Sequence, residues 1–222
     1  MNRLADVGVI GGTGLYALEP GGELHDVTTP YGPPSSAISV HEIGQHRVAF
    51  LARHGQQHQF PAHRVPYRAN MWALASLGVT RVLAPCAMGS LRDDIPPGSF
   101  VVPDQIIDRT HGRDATFFDE SAVHVAFADP YCEQLRDSVM AQIAMSSPYA
   151  GRSSGTVVVV PGPRFGSRAE ASWHRQAGGD LVNMTAMPEA VLARELTLCY
   201  CNIAVVTDYD AGMDGHEAVT QR

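Results

Sequence analysis

Apolar residues along this chain fall in short blocks. Those at 7–10, 48–52, 82–85, 100–103, 156–160 and 202–206 are rich in Val and Ile and too short for helices, so they predict buried strands. A shorter block at 181–184 predicts one more. Between the blocks the apolar period becomes helical. Residues 66–77 open on Pro66, place Met71, Leu74 and Leu77 on one face and close at Gly78, which predicts a helix. A second is expected from Asp129-Pro130, with Leu135, Val139 and Ile143 on one side. A third follows the capping box of Ser167 and Glu170, and a fourth starts at Pro188 with Leu192 and Leu196 inward. Strands alternating with helices predict an α/β fold, a single domain whose mostly parallel sheet is layered by helices. Residues 111–125, HGRDATFFDESAVHV, are polar and aperiodic and read as a surface excursion or interface arm.

Composition narrows the class. A chain of 222 residues, 45% of them hydrophobic, fits one domain with a sizeable core. Lys and Arg number 16 against 23 Asp and Glu, with no lysine-rich run, so nucleic acid is not an expected partner. No apolar run is long enough to cross a bilayer and no secretory leader opens the chain, so a cytoplasmic protein with no membrane partner is expected. Cys86, Cys132, Cys199 and Cys201 are too few and too scattered for a disulfide scaffold, and free buried thiols are expected. The sequon at Asn183-Met184-Thr185 has no meaning without export.

The opening stretch VGVIGGTGLYAL has the glycine spacing of a dinucleotide-binding loop at Gly12, Gly14 and Ala17. Such a loop must run straight into a long helix, and the next strand must end in an acid for the ribose. Here Pro20, Gly21 and Gly22 stop any helix, and the next strand ends in Arg53-His54. What remains is a tight turn with free backbone N–H groups and the Thr13 hydroxyl, suited to a small oxyanion.

Ligands of open α/β sheets bind beyond the carboxyl ends of the strands. Those positions hold Thr13, then Arg53 and His54, then Cys86, Ala87 and Gly89, then Asn183, Met184 and Thr185, and finally Thr207, Asp208 and Asp210. An arginine, a histidine, hydroxyls and backbone amides suit a phosphate dianion. The two carboxylates must face something else, such as a heterocycle with N–H donors. His54 and His58 stand four apart like zinc ligands, but Gly55 argues against a helix. Asp208, Asp210 and Asp214 imitate a calcium loop, yet Gly212 and Val219 occupy two of its ligand positions. No metal is expected. Cys86, within LAPCAMGSL, reads as a small buried hydrophobe before it reads as a nucleophile.

The blocks IGGTGL, LARHG with YRANMWAL, AMGSLRDDIPPGSFVVPDQIIDRT, GPRFGSRAE, NMTAMPEAVLARE and VVTDYDAG run from about residue 7 to about residue 220. Together they resemble the trimeric purine nucleoside phosphorylases, in particular the methylthioadenosine phosphorylase branch. The resemblance implies the nucleoside phosphorylase fold, with a central mixed, mostly parallel twisted sheet, as one domain over 1–222. It also implies a homotrimer acting on a small-molecule nucleoside, with phosphate as co-substrate and no cofactor. By matching positions Thr13, Arg53, His54, Ala87 and Thr185 hold phosphate, and Cys86, where relatives have Thr or Ser, contributes its backbone. Phe165 stacks on the purine, and Met184 lies under the ribose with Asn183 nearby. His124 is lent to a neighbouring subunit, and Ser167 and Thr220 bear on substrate choice. Relatives continue into a C-terminal helical segment that closes the 5′ side of the sugar, apparently missing here.

The implied reaction is phosphorolysis, most simply of 5′-methylthioadenosine to adenine and 5-methylthioribose 1-phosphate, a purine and methionine salvage step. Asp208, with Asp210, is the expected acid at N7 of the leaving purine, which requires the Asp208 pKa to rise. A carboxylate also accepts from a 6-amino group but meets O6 acceptor to acceptor, so the pair favours 6-aminopurines. Broad or 6-oxopurine specificity is the alternative within enzymes, and a non-catalytic nucleoside-binding protein is the alternative outside them.

Overall fold

A computed structural model describes residues 3–12, 21–146, 151–212 and 217–219. Its strands and helices, in chain order, are β1 (Val7–Gly11), β2 (Glu23–His25), β3 (Ile38–Ile43), β4 (His46–Ala52), α1 (Tyr67–Ser76), β5 (Arg81–Ser90), β6 (Phe100–Val101), β7 (Gln105–Asp108), α2 (Glu133–Ser146), β8 (Gly151–Arg152), β9 (Thr156–Val159), α3 (Arg168–Gln176), β10 (Leu181–Asn183), α4 (Ala186–Glu195) and β11 (Cys199–Asp208). The main run of the sheet is β2-β3-β4-β1-β5-β10-β9-β7, with β11 also on β5 and β6 and β8 beyond it. Among the described strands six pairings are parallel and four antiparallel, so the sheet is mixed and mostly parallel.

The Val- and Ile-rich blocks form strands because both their faces are covered. Ile10, Leu51, Val82, Val157 and Ala204 are all within 1% of fully buried. Met71 and Leu74 lie inward on α1, Leu77 is buried at its C-cap, and the capping box of Ser167 and Glu170 starts α3 with both reciprocal bonds formed. No described helix is long and apolar enough to cross a membrane.

Several expectations need correction. The strands β2, β3, β7 and β8 were not foreseen. Ile38 and Val40 of β3 point inward and alternate with half-exposed Ser39 and His41, the signature of a sheet covered on one side, which blocks of consecutive apolar residues do not reveal. Helix α2 begins at Glu133 rather than Asp129, and Leu135, Val139 and Ile143 are only half-buried. The excursion at 111–125 is a loop, but it is anchored: Arg113 donates to the carbonyls of Met187 and Pro161, and Glu195 accepts from the Thr116 hydroxyl and the Phe117 N–H.

The cysteines are not all free. Cys132 and Cys199 form a disulfide, while Cys86 and Cys201 remain thiols. The Cys132 N–H donates to the Tyr200 carbonyl and brings two cysteines 67 residues apart in sequence to a Cα separation of 5.2 Å, which linear spacing does not disclose. Closing a loop of that length stabilises a fold by roughly 2–4 kcal/mol. Reduction, or Cys132→Ser, is therefore expected to lower the melting temperature in calorimetry. Room-temperature ligand binding should stay intact, because the bond sits at the first residue of β11 and the cleft described below lies at its last.

Candidate active site

β5 runs beside β11 along its length, but its other edge is shared: β1 pairs with Arg81–Leu83 and β10 with Gly89–Ser90. Between these two stretches the edge opens into a cleft of about 500 Å³. Pro85, which has no N–H to leave unpaired, lies in that interval. Parting neighbours at strand ends is where open α/β sheets form crevices.

Arg53 and His54 enter this cleft from the end of β4, and Cys86, Ala87 and Gly89 from β5. Asn183, Met184 and Thr185 enter from the end of β10, Asp208 and Asp210 from the end of β11, and Phe165, 40% exposed, forms a lip. The predicted phosphate and base residues are thus brought to one place. Thr13, Thr220 and Asp214 lie outside the described residues. Ser167 and His124 do not line the cleft: Ser167 caps α3, and His124 is exposed.

Arg53 is no surface cation, as it is 1% exposed. Its Nε lies 2.5 Å from Glu189 Oε1, and Nη2 lies 3.1 Å from Glu189 Oε2 and 3.2 Å from the Ile10 carbonyl. Nη1 donates to the Pro85 carbonyl at 3.3 Å. Four of the five guanidinium N–H groups are therefore used internally and one remains, on Nη1. A Cβ on Gly12 would come within 3.2 Å of that nitrogen, so glycine keeps it open. Glu189 went unrecognised in the sequence, where the one signal is an acid set among the apolar residues of PEAVLA.

His54 Nδ1 is 2.7 Å from the Phe60 carbonyl. A carbonyl only accepts, so Nδ1 carries the hydrogen and Nε2 is left with its lone pair. Burial, joined by the charges of Arg53 and His58 against the Phe60 hydrogen bond, holds the imidazole below its ordinary pKa. The His54 and His58 rings stack at 4.6 Å between centroids rather than converging on a point.

The Asn183 carboxamide oxygen accepts from the N–H groups of Thr185 and Ala186 and so shapes the turn that leads into α4. Those bonds withdraw two backbone donors from any anion, and the Thr185 hydroxyl, 3.4 Å from the same Asn183 oxygen, is the Thr185 donor left at the cleft. Cys86 is buried with Sγ 3.7 Å from that hydroxyl and 3.5 Å from Asn202 Nδ2.

At the other side of the cleft the β5–β11 register slips between Val206 and Asp208. This bulge at Thr207 breaks the in-out alternation and turns both Thr207 and Asp208 into the cleft. Asp208 accepts from the Asp210 N–H at 2.8 Å and from the Thr207 hydroxyl at 2.7 Å. Asp210 is the deeper carboxyl, and it holds a left-handed backbone with φ 50°. Burial pushes its pKa up, the Asp208 and Glu170 charges add to the rise, and the Ala211 N–H and His174 oppose it. The bulge leaves Asp208 nearer solvent than its neighbour.

The chain matches a model of the phosphorylase superfamily over residues 6–222. It is 56% identical over 209 residues to an S-methyl-5′-thioadenosine phosphorylase of Mycolicibacterium smegmatis, covering 94% of this chain and 78% of that protein. It is 48% identical to a purine nucleoside phosphorylase of Streptomyces coelicolor, covering 97% of this chain and 80% of that one. Among solved structures, a methylthioadenosine phosphorylase from Schistosoma mansoni in complex with adenine superposes with a TM-score of 0.92 at 36% identity, covering 96% of this chain and 82% of that chain.

Proposed function

Because the chain belongs to the phosphorylase superfamily, we propose that it catalyses phosphorolysis of a purine nucleoside, 5′-methylthioadenosine, releasing adenine and 5-methylthioribose 1-phosphate. The observation that carries this reading is that the Arg53 guanidinium and the Asp208–Asp210 pair open onto one cleft, large enough for a nucleoside and an oxyanion together.

The reaction breaks the bond between C1′ and purine N9 as a phosphate oxygen approaches the opposite face of the sugar. Arg53, through the open N–H on Nη1, and the Thr185 hydroxyl hold the anion and position it. His54, neutral with its hydrogen on Nδ1, accepts the hydrogen of the phosphate P–OH through Nε2 and thereby sets which oxygen is free to attack. The Ala87 backbone adds to this cradle, and the resemblance assigns the Thr13 hydroxyl a further phosphate contact. At the far side Phe165 stacks on the purine, and Met184 lines the cleft at the sugar.

The departing ring gathers negative charge that a proton at N7 relieves. Asp208, both of whose oxygens already accept hydrogen bonds, suits the hydrogens of a 6-amino group. Asp210, buried against that charge, retains a proton to higher pH than an exposed aspartate and serves as its reservoir. Phosphate is the co-substrate, and no cofactor or metal is required. A homotrimer is part of this reading, with His124 directed to a neighbouring copy, and sedimentation at micromolar concentration tests it.

The decisive assay measures adenine release from methylthioadenosine, with inosine in parallel, with and without phosphate. Phosphate-dependent release, fastest with methylthioadenosine, is the expected result, and a clear preference for inosine overturns the reading of Asp208. Gly89→Ala tests the geometry between the halves, since a Cβ there would lie 2.9 Å from both Asp208 Oδ1 and Asp210 Cβ. Displacing the pair by a fraction of its own size is expected to reduce kcat/KM by about 100-fold. Activity close to that of the unaltered protein would show that the carboxylates do not need their present positions.

A further inference from the structure

Glu189 has no part in the chemistry described so far, yet it is 1% exposed and reaches the substrate cleft through a single intermediary. Three donors converge on its carboxylate: Arg53 Nε, Arg53 Nη2 and, at 2.9 Å, the Tyr200 hydroxyl. Burial and the neighbouring Glu189 push the Tyr200 phenol well above its ordinary pKa, so it remains a donor at any working pH.

A buried ion pair is weak evidence of stabilisation, because well-packed apolar residues in its place are often as stable. What the pair does supply is direction. Its two parallel hydrogen bonds fix the plane of the guanidinium, and the Ile10 and Pro85 carbonyls occupy two of the remaining hydrogens. The segment from Thr185 to Glu189 also carries the hydroxyl that lines the cleft, so one short stretch sets both anion contacts.

We infer that Glu189, held by Tyr200, is a positioning residue for phosphate: it orients Arg53 so that the last unused N–H, on Nη1, is presented to the cleft beside Gly12. The inference rests on the phosphorolytic reading of the site. Because Glu189 offsets the formal charge of Arg53, recognition at this point depends on geometry more than on net charge.

Glu189→Gln and Tyr200→Phe in the full chain test it, with phosphate and nucleoside varied separately. Glu189→Gln keeps the shape but loses one bidentate partner, and is expected to raise the phosphate KM about 10- to 100-fold while the nucleoside KM moves less than about threefold. Tyr200→Phe removes one hydrogen bond at second remove and is expected to raise the phosphate KM about two- to fivefold. In an Arg53→Met background, where turnover is lost, Glu189→Gln is expected to make no further change in thermal stabilisation by inorganic phosphate. A merely structural Glu189 would lower the melting temperature and leave this split unmoved. A folded Glu189→Gln protein with phosphate KM within about twofold of the parent, or with the nucleoside KM raised equally, overturns the inference. Should that variant not fold, Tyr200→Phe decides, and an unchanged phosphate KM there overturns it. Absence of phosphate-dependent adenine release from the unaltered protein is instead the failure of the phosphorolytic reading. Thermal stabilisation by inorganic phosphate then decides: loss of it in Glu189→Gln supports the positioning role, and equal stabilisation of both proteins overturns it.

Discussion

Arg53→Met is expected to eliminate measurable phosphorolysis and to destabilise the protein by about 3–5 kcal/mol, because it strands the Glu189 carboxylate in the interior with only Tyr200 as a donor. The two effects have different origins. The stability loss comes from an uncompensated buried charge and is recovered when that charge is removed as well. Arg53→Met combined with Glu189→Leu is therefore expected to regain most of the unfolding free energy in urea titrations. Turnover is not regained, since the Nη1 N–H is then missing from the phosphate site, and kcat/KM should stay about 1000-fold or more below the parent. A double variant that recovers activity along with stability would show that Arg53 acts through the fold alone.

Asp210→Asn is the second large effect, and its two consequences have opposite signs. The variant has no proton to supply to the purine, and the expected loss in kcat with methylthioadenosine is about 100- to 1000-fold. Stability is expected to move the other way near neutral pH. A carboxyl whose pKa is higher in the native state than in the unfolded chain favours folding while protonated, and that contribution is lost as pH rises through its native value. Asparagine never ionises and tolerates the left-handed backbone found at this position, so it escapes the loss. The melting temperature of Asp210→Asn relative to the parent should thus increase as pH is raised from the ordinary aspartate range toward neutrality. The groups that face Asp210 are Asp208, Glu170, His174 and the Ala211 N–H, so Glu170 and Asp208 are the charges whose removal should shrink that difference. A difference flat with pH would mean that Asp210 has the same affinity for its proton folded and unfolded.

Much of the fold was legible because it depends on near neighbours. Buried strands such as β1, β4 and β11 announce themselves as apolar blocks, and the helix starts follow from Pro66 and the Ser167–Glu170 box, whose partners stand within one turn. The candidate site was legible to the extent that residues at strand ends converge in this class of sheet: Arg53, Cys86, Met184, Thr185 and Asp208 do share one cleft. Asn183 shows the limit. Its position at a strand end was read correctly, but that its carboxamide oxygen accepts from the N–H groups of Thr185 and Ala186 depends on how the following helix begins.

From the linear order of residues alone came the α/β alternation, the acidic balance and the blocks that mark the superfamily, all of which depend on side-chain type and short spacing. Tertiary structure decided the rest: the partner of Arg53, which lies 136 residues away, the parting of β1 and β10 along β5, the bulge that turns Asp208 into the cleft, and the bond between Cys132 and Cys199. Each of these is set by which distant segments pack together and by how far burial removes a charge from water, and neither quantity is a property of residues close in sequence.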